Sequence, residues 1–327
     1  MICAGVQALE DRRQDVDALN VFPVPDGDTG TNMFLTIQSA AKKAESVTGK
    51  TVSEVAAAVS SGSLMGARGN SGVILSQLLR GMAKSLEGLR EADARQIAQA
   101  MHSGVDTAYK AVMKPVEGTI LTVSLEAAKG AQVKAAQGGT PVEALREAVR
   151  RGQIALMKTP EMLPVLKQAG VVDAGGQGFL IILGGWIAAL EGRIPQEKIT
   201  YLDTADFLDT VEFSGTTPLA EGSLTLDALE FPYCTEFLVK GDGLRIEQMR
   251  KDLKSQGDCL FVVGEPELVK IHIHTKNPGK VLDYALRWGG LFEVQIHNML
   301  AQNEAMEHAR KEKQRAASDV AHKLNGV

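Results

Sequence analysis

Apolar residues recur at helical spacing through the first part of the chain. Ile97, Met101, Val105, Ala108 and Val112 fall on one face between Asp93 and Lys114. Start signals punctuate the pattern: Thr51 with Glu54, Asp93 with Gln96, and Thr140-Pro141 with Glu143 each have capping-box spacing. Together they predict helices over 1–14, 30–47, 51–65, 71–87, 93–113, 119–136, 141–158 and 175–191. Glycine- and hydroxyl-rich joints separate several of them, so an all-helical eight-helix bundle with its chemistry in the loops at one end is expected. Beyond Pro195 the period changes. After the turn-rich connector Ser214–Pro218, strands are predicted over Tyr233–Val239, Cys259–Val263, Leu268–His274 and Leu291–Asn298. Helices are predicted over Leu244–Gln256 and Pro278–Trp288. The order β-α-β-β-α-β is that of an α+β, ferredoxin-like sheet, with helices on one face and the other face open. A charged amphipathic helix, read as a solvated linker, closes the chain from Ala301 to Lys323.

The chain has 327 residues, room for two domains, with boundaries expected at 1–198, 199–303 and a tail over 304–327. A net charge of −5 offers no basic footprint for nucleic acid. Cys3, Cys234 and Cys259 are too scattered for a disulfide framework, which fits a reducing cytoplasm. Glu10, Asp11, Arg12 and Arg13 follow Met1 too closely for a signal peptide. The uncharged run Ala174–Leu190 holds five glycines and falls short of the roughly 20 apolar residues of a spanning helix, so it reads as a buried helix and no membrane span is expected.

The most informative stretch is Asn20-Val21-Phe22-Pro23-Val24-Pro25-Asp26-Gly27-Asp28-Thr29-Gly30-Thr31-Asn32. Pro23 and Pro25 stiffen the approach, and Gly27 and Gly30 permit tight turning, so Asp26 and Asp28 can converge on one point. Hard oxygen ligands at the mouth of a helix suit Mg²⁺ and, through it, phosphate. A solvated Asp-Gly turn is the plain alternative. Gly69-Asn70-Ser71-Gly72 opens the helical segment Val73–Leu86, where free amides favour an anion, with Asn70 or Ser71 as the helix cap. Neither a P-loop nor a complete dinucleotide fingerprint is present.

Leu19–Met33, Gly66-Ala67-Arg68-Gly69-Asn70-Ser71-Gly72, Lys114-Pro115-Val116-Glu117-Gly118-Thr119 and Asp173-Ala174-Gly175-Gly176-Gln177-Gly178 together resemble the DhaL/DAK2 superfamily, most of all the ATP-binding subunit of bacterial fatty acid kinase. The resemblance runs to about residue 305. It implies a helical barrel binding ATP and Mg²⁺. Asp26 and Asp28 would be the metal ligands, with Asn20 or Asp17 supplying the third. Thr29, Thr31 and Asn32 would meet phosphate oxygens or metal-bound water, and Asn70, Ser71 and Gly72 would cradle phosphate. Gly118, Thr119 and Ile120 fall where the family contacts the base. Asp173 with Gly175 resembles the loop that closes the same end, while its alternative is an ordinary helix cap. Arg68 is a candidate transition-state cation or a surface arginine.

A second cluster lies in the sheet. His272 and His274 share one face of a strand, and the first and third strands of such a sheet are neighbours, which turns Cys234 and Glu236 to the same side. Cysteine with two histidines suits Zn²⁺; a chance pairing is the alternative. The resemblance implies a zinc-binding middle domain here. His297 also alternates onto this face, and Glu236, water or a partner's side chain are alternatives for the fourth position. Cys259, a strand further out, reads as a packed side chain.

The activity implied by the resemblance is phosphorylation of a fatty acid's carboxylate, presented by a separate fatty-acid-binding carrier protein, by a homodimeric cytoplasmic kinase subunit. In the family a further C-terminal domain follows where this chain ends. A dihydroxyacetone-type kinase and a non-catalytic nucleotide-binding regulator are the competing readings.

Overall fold

The computed structural model describes residues 1–47, 51–193 and 230–302. The linker helix beyond residue 302, the Ser214–Pro218 connector and the two outer domain limits fall outside the described residues. The eight helices expected from periodicity are all present, the first as two pieces: α1 (Ile2–Asp11), α2 (Arg13–Ala18), α3 (Thr29–Glu45), α4 (Val52–Met65), α5 (Gly69–Ser85), α6 (Ala94–Ala111), α7 (Ile120–Ala136), α8 (Pro141–Met162) and, past a short unforeseen α9 (Pro164–Ala169), α10 (Ala174–Leu190). Besides α9, two details differ from the pattern-based reading. The first helix is broken at Arg12, whose backbone leaves helical geometry and which ion-pairs with Asp15. Helix α8 runs one turn further than expected and carries Pro160 close to its end, where a proline disturbs few helical bonds. The three capping boxes form as read, at Thr51–Glu54, Asp93–Gln96 and Thr140–Glu143.

Helices α3 to α8 pack each against the next, and α10 closes the ring by touching α1, α2, α3, α7 and α8. That central position explains a helix apolar on all sides. Among the described residues no helix is long and apolar enough to cross a membrane. Leu9, Met33, Ile37, Leu121, Leu145, Leu156, Ile182 and Leu183 fill the barrel and are fully buried, each contributing roughly 2 kcal/mol by leaving water.

The second layer is a four-stranded antiparallel sheet, β1 (Tyr233–Lys240), β2 (Gly257–Glu265), β3 (Leu268–Thr275) and β4 (Gly290–Asn298), in the spatial order β2-β3-β1-β4. Helices α11 (Ile246–Leu253) and α12 (Pro278–Leu286) cover one face, burying Phe237, Val239, Ile271 and Ile273. This is the β-α-β-β-α-β arrangement expected from the pattern. The expected open face is not open. Phe261 and Val263 pack there with Leu64, Ala67, Val73 and Ala111 of the helical layer, because both surfaces are apolar where they meet.

Gly30 lies inside α3 rather than in the loop, and a Cβ there would stand 2.3 Å from the Arg13 carbonyl oxygen of α2. Gly30→Ala is therefore expected to lower stability by about 1–3 kcal/mol in urea unfolding. Unchanged stability would contradict the close approach of α2 to α3.

Candidate functional site

The loop after α2 turns at Gly27, whose φ of 64° is the left-handed conformation that favours glycine. This turn sets Asp26 and Asp28 together. Asp28 occupies the N-cap position of α3, yet its carboxylate makes no capping bond and meets Asp26 instead. The Asn20 side-chain amide donates to Asp26 Oδ1 at 2.5 Å. Burial, then the charge of Asp28, push the Asp26 carboxyl up to about 8. Two crowded carboxylates of this kind are relieved by a cation.

Asp17 is engaged elsewhere. It accepts the Thr31 backbone N–H at 2.9 Å and the Thr31 hydroxyl at 2.8 Å, so it anchors the first turn of α3 and leaves Asn20, whose amide nitrogen faces Asp26, as the third polar side chain beside the acidic pair. Thr31 is thereby turned to Asp17 and does not line the cleft described below.

The start of α5 stands against the start of α3. Ser71 Oγ lies 3.5 Å from Thr29 Oγ1. A Cβ on Gly69 would meet the Asn32 amide at 2.4 Å, and one on Gly72 would meet Thr36 Oγ1 at 2.3 Å. Neither Asn70 nor Ser71 caps the helix; the N-cap is Arg68. The Gly72 N–H is used by the Arg68 carbonyl, so Gly72 serves packing more than phosphate contact. The Gly69 N–H bonds Glu236 Oε2 at 3.1 Å. Asn70 and Ser71 are left with the free amides of this turn, and the buried Asn70 Oδ1 has no partner.

Across from this turn stands the sheet. Cys234 pairs with His274 of β3 and with His297 of β4, and Glu236 pairs with His272. Cys234 Sγ is 3.9 Å from His272 Nδ1, and the ligand atoms of Cys234, His272 and His274 lie within 4.8 Å of one another. Burial would raise the Cys234 thiol, but His272 and His274 draw it down to about 6, so it is a thiolate at neutral pH, the form that binds metal. Burial would depress His272, yet Cys234 and Glu236 hold it up at about 9. His272 is fully buried and its Nε2 has no hydrogen-bond partner. A cysteine sulfur 3.9 Å from one imidazole, with a second imidazole in the same cluster, fits a zinc-type donor set, the metal taking the place of the imidazole proton.

Two residues stand differently from expectation. Cys259 is not an ordinary packed strand residue: a bulge between Asp258 and Phe261 gives it a left-handed φ of 48° and brings it, with Asp258, beside His274. Arg68 faces the sheet rather than the acidic pair. It lies 3.5 Å from Glu236 and 3.7 Å from Glu293, and Gln295, with its amide turned to satisfy both neighbours, accepts from Arg68 at 2.8 Å and donates to Glu236 at 3.2 Å.

The two clusters line one cleft of about 430 Å³, its open mouth included. Asn20, Asp26, Asp28, Thr29, Asn32, Gly69, Asn70 and Ser71 form one wall, and Cys234, His272, His274 and the exposed His297 form the other. Gly118, Thr119, Ile120, Asp173 and Gly175 are not in its lining. They meet one another at the starts of α7 and α10. Thr119 caps α7, Asp173 caps α10 through Gly176 N–H at 2.7 Å and also accepts from the Ile120 N–H, and a Cβ on Gly175 would touch Ile120 at 3.2 Å. Strand alternation foretold the Cys234, Glu236, His272 and His274 face. The bulges at Cys259 and Glu293 left no trace in the pattern, so Asp258 and Gln295 could not be found from it.

The DAK2 domain profile matches residues 23–188, just over half of the chain, and the middle-domain profile of FakA-like fatty acid kinase matches residues 230–306. Protein YloV of Bacillus subtilis (strain 168) is 46% identical over 312 residues, covering 94% of this chain and 55% of its own length. Protein SH1689 of Staphylococcus haemolyticus (strain JCSC1435) is 43% identical over 324 residues, covering 98% of this chain and 57% of its own. The chain thus spans little more than half the length of these relatives. A dihydroxyacetone kinase from C. freundii, solved in complex with AMP-PNP and Mg²⁺, overlaps 57% of this chain and 33% of its own at 18% identity and a TM-score of 0.46, too loose a likeness to argue from. The fold and the two matches define a kinase-related, nucleotide-binding type of chain. It belongs to the DAK2 family and carries a middle domain of the FakA-like fatty acid kinase type.

Asp173 separates its two readings. Burial pushes its carboxyl up to about 7 against the bonds from Gly176 and Ile120. An acid raised in the fold contributes stability below its unfolded value, lost as pH rises through about 7. The melting temperature should therefore fall more between pH 6 and pH 8 in the wild type than in Asp173→Asn, which keeps a good cap without a charge to bury. A variant with the wild-type pH profile, or one that loses nucleotide affinity, would contradict a purely capping role.

Proposed function

We propose that this chain is the ATP-binding portion of a fatty acid kinase, transferring the γ-phosphoryl group to the carboxylate of a fatty acid held by a separate carrier protein. The observation that carries the reading is the shared cleft, with an acidic pair, free helix-start amides and a Cys/His cluster on facing walls. Asp26 and Asp28 would hold Mg²⁺, with Asn20 joining them once its amide turns its oxygen inward, and the Asn70 and Ser71 amides with the Thr29 hydroxyl would take phosphate oxygens. Cys234, His272 and His274 would hold Zn²⁺, whose bound charge would polarise an oxygen of acceptor or phosphate. A carboxylate acceptor is already ionised at neutral pH. The cleft therefore needs no general base, and phosphoryl transfer asks mainly for position and charge neutralisation. His297, exposed on the sheet wall, is the histidine paired with Cys234 across β4 and could complete its ligand set.

We assign the nucleotide unit to residues 1–198 and the metal-bearing unit to 199–303, and place the protein in the cytoplasm as a homodimer. The edge strand β4, with Phe292, Val294 and Ile296 exposed, is the surface that supports a second copy. A dihydroxyacetone-type kinase would share the acidic loop but has no evident use for the Cys/His wall.

Asp28→Asn is expected to weaken Mg-ATP binding at least about tenfold by titration, since even residues that merely support a metal ligand are worth 10–100-fold. With labelled ATP, transfer should go to carrier-bound fatty acid and not to dihydroxyacetone. It should be slower than with a chain of the relatives' full length. Transfer to the ketone alone, or wild-type Mg-ATP affinity in the variant, would overturn the proposal.

A further inference from the structure

We infer that Glu236 couples the two walls of the cleft, so that a divalent metal on Cys234, His272 and His274 tightens Mg-nucleotide binding at the start of α5; this rests on the nucleotide reading above. Glu236 is 2% exposed, and its two oxygens are divided between the walls. Oε2 accepts the Gly69 N–H at 3.1 Å and faces His272 Nδ1 at 3.4 Å. Oε1 faces Arg68 at 3.5 Å and takes the Gln295 amide at 3.2 Å. The fully buried Lys270, whose Nζ has no hydrogen-bond partner, adds a nearby positive charge.

A carboxylate that accepts one imidazole N–H orients the ring and leaves the other nitrogen basic, the usual support for a metal-binding histidine. At His272 both Glu236 Oε2 and the Cys234 Sγ, 3.9 Å away, approach Nδ1 while Nε2 is buried and unpartnered, so Glu236 fixes the ring beside the cysteine. Asp258, 3.5 Å from His274 Nδ1, supports the second histidine in the same way. What distinguishes Glu236 is its other bond. The same oxygen that steadies His272 holds the first amide of α5, and the next two amides, of Asn70 and Ser71, are the free donors facing the cleft. Fixing His272 on a metal fixes Glu236, and through Gly69 it fixes the phosphate-facing turn. Glu236 is thus a positioning residue for both sites.

Binding linkage makes the coupling reciprocal. The test uses the whole chain, zinc-loaded or stripped with a chelator, titrated with Mg-ADP. Zinc removal should weaken Mg-ADP binding by about 5-fold or more, within the usual 5–150-fold range of coupled sites. Saturating Mg-ADP should tighten zinc against a competing chelator by the same factor. Glu236→Gln should still bind both ligands but show a coupling factor near one. Equal Mg-ADP affinity with and without zinc in the wild type overturns the inference even if the variant fails to fold, and so does full coupling in a folded variant. Absence of any Mg-ADP binding, in either metal state, would instead remove the nucleotide reading itself.

Discussion

One buried carboxylate ties this molecule together. Glu236 sits where the sheet meets the barrel and receives donors from both, the Gly69 amide from α5 and His272 from the neighbouring strand. A lone charge at this depth would cost several kcal/mol. Here burial, which would raise the carboxyl, is overcome by His272, Lys270 and Arg68, and the group is held at about 2. It is therefore ionised across the physiological range, and the joint depends on it. The apolar contact of Phe261 and Val263 with Leu64, Ala67 and Val73 supplies area around this polar centre but little direction. Orientation comes from the charged hydrogen bonds.

The consequence is chemical. An acidic pair alone would be a cation site, and a Cys/His triad alone would pass for a structural zinc site. They face each other across one cleft, and on the proposed function a triphosphate and an ionised acceptor would both be neutralised there. Like charges repel as a carboxylate approaches a phosphate, so positive charge on both sides is the requirement such a reaction sets. Asp26, crowded by Asp28 and partly desolvated, already favours a cation. The Cys234 sulfur with His272 and His274 gathers a metal-type donor set on the opposite wall.

Much of this was legible in the chain. The 3.6-residue period, the three capping boxes and the switch to strand alternation located nearly every described element, and alternation put Cys234, Glu236, His272 and His274 on one face. What pattern could not convey was tertiary contact. The sheet face that reads as open is closed by the barrel, because nothing local marks Phe261 and Val263 as destined for another layer. Arg68 reads as a free cation near phosphate, yet Glu236, 168 positions away in sequence, turns it to the sheet. Gly30 and Gly72 read as loop and phosphate glycines, whereas both let helices touch. The bulge at Cys259 inserts an extra residue that no periodicity announces.

The central claim is that the acidic pair and the Cys/His cluster would bind their metals within one cleft. Diffraction from zinc-loaded crystals grown with Mg-ADP, with data collected at the zinc absorption edge, tests it most directly. The account predicts anomalous density bounded by Cys234, His272 and His274, with the nucleotide phosphates on the facing wall at Asp26, Asp28, Asn70 and Ser71. Phosphates bound away from that wall, for instance beside Asp173, or a zinc peak remote from the cysteine and histidines, would contradict it.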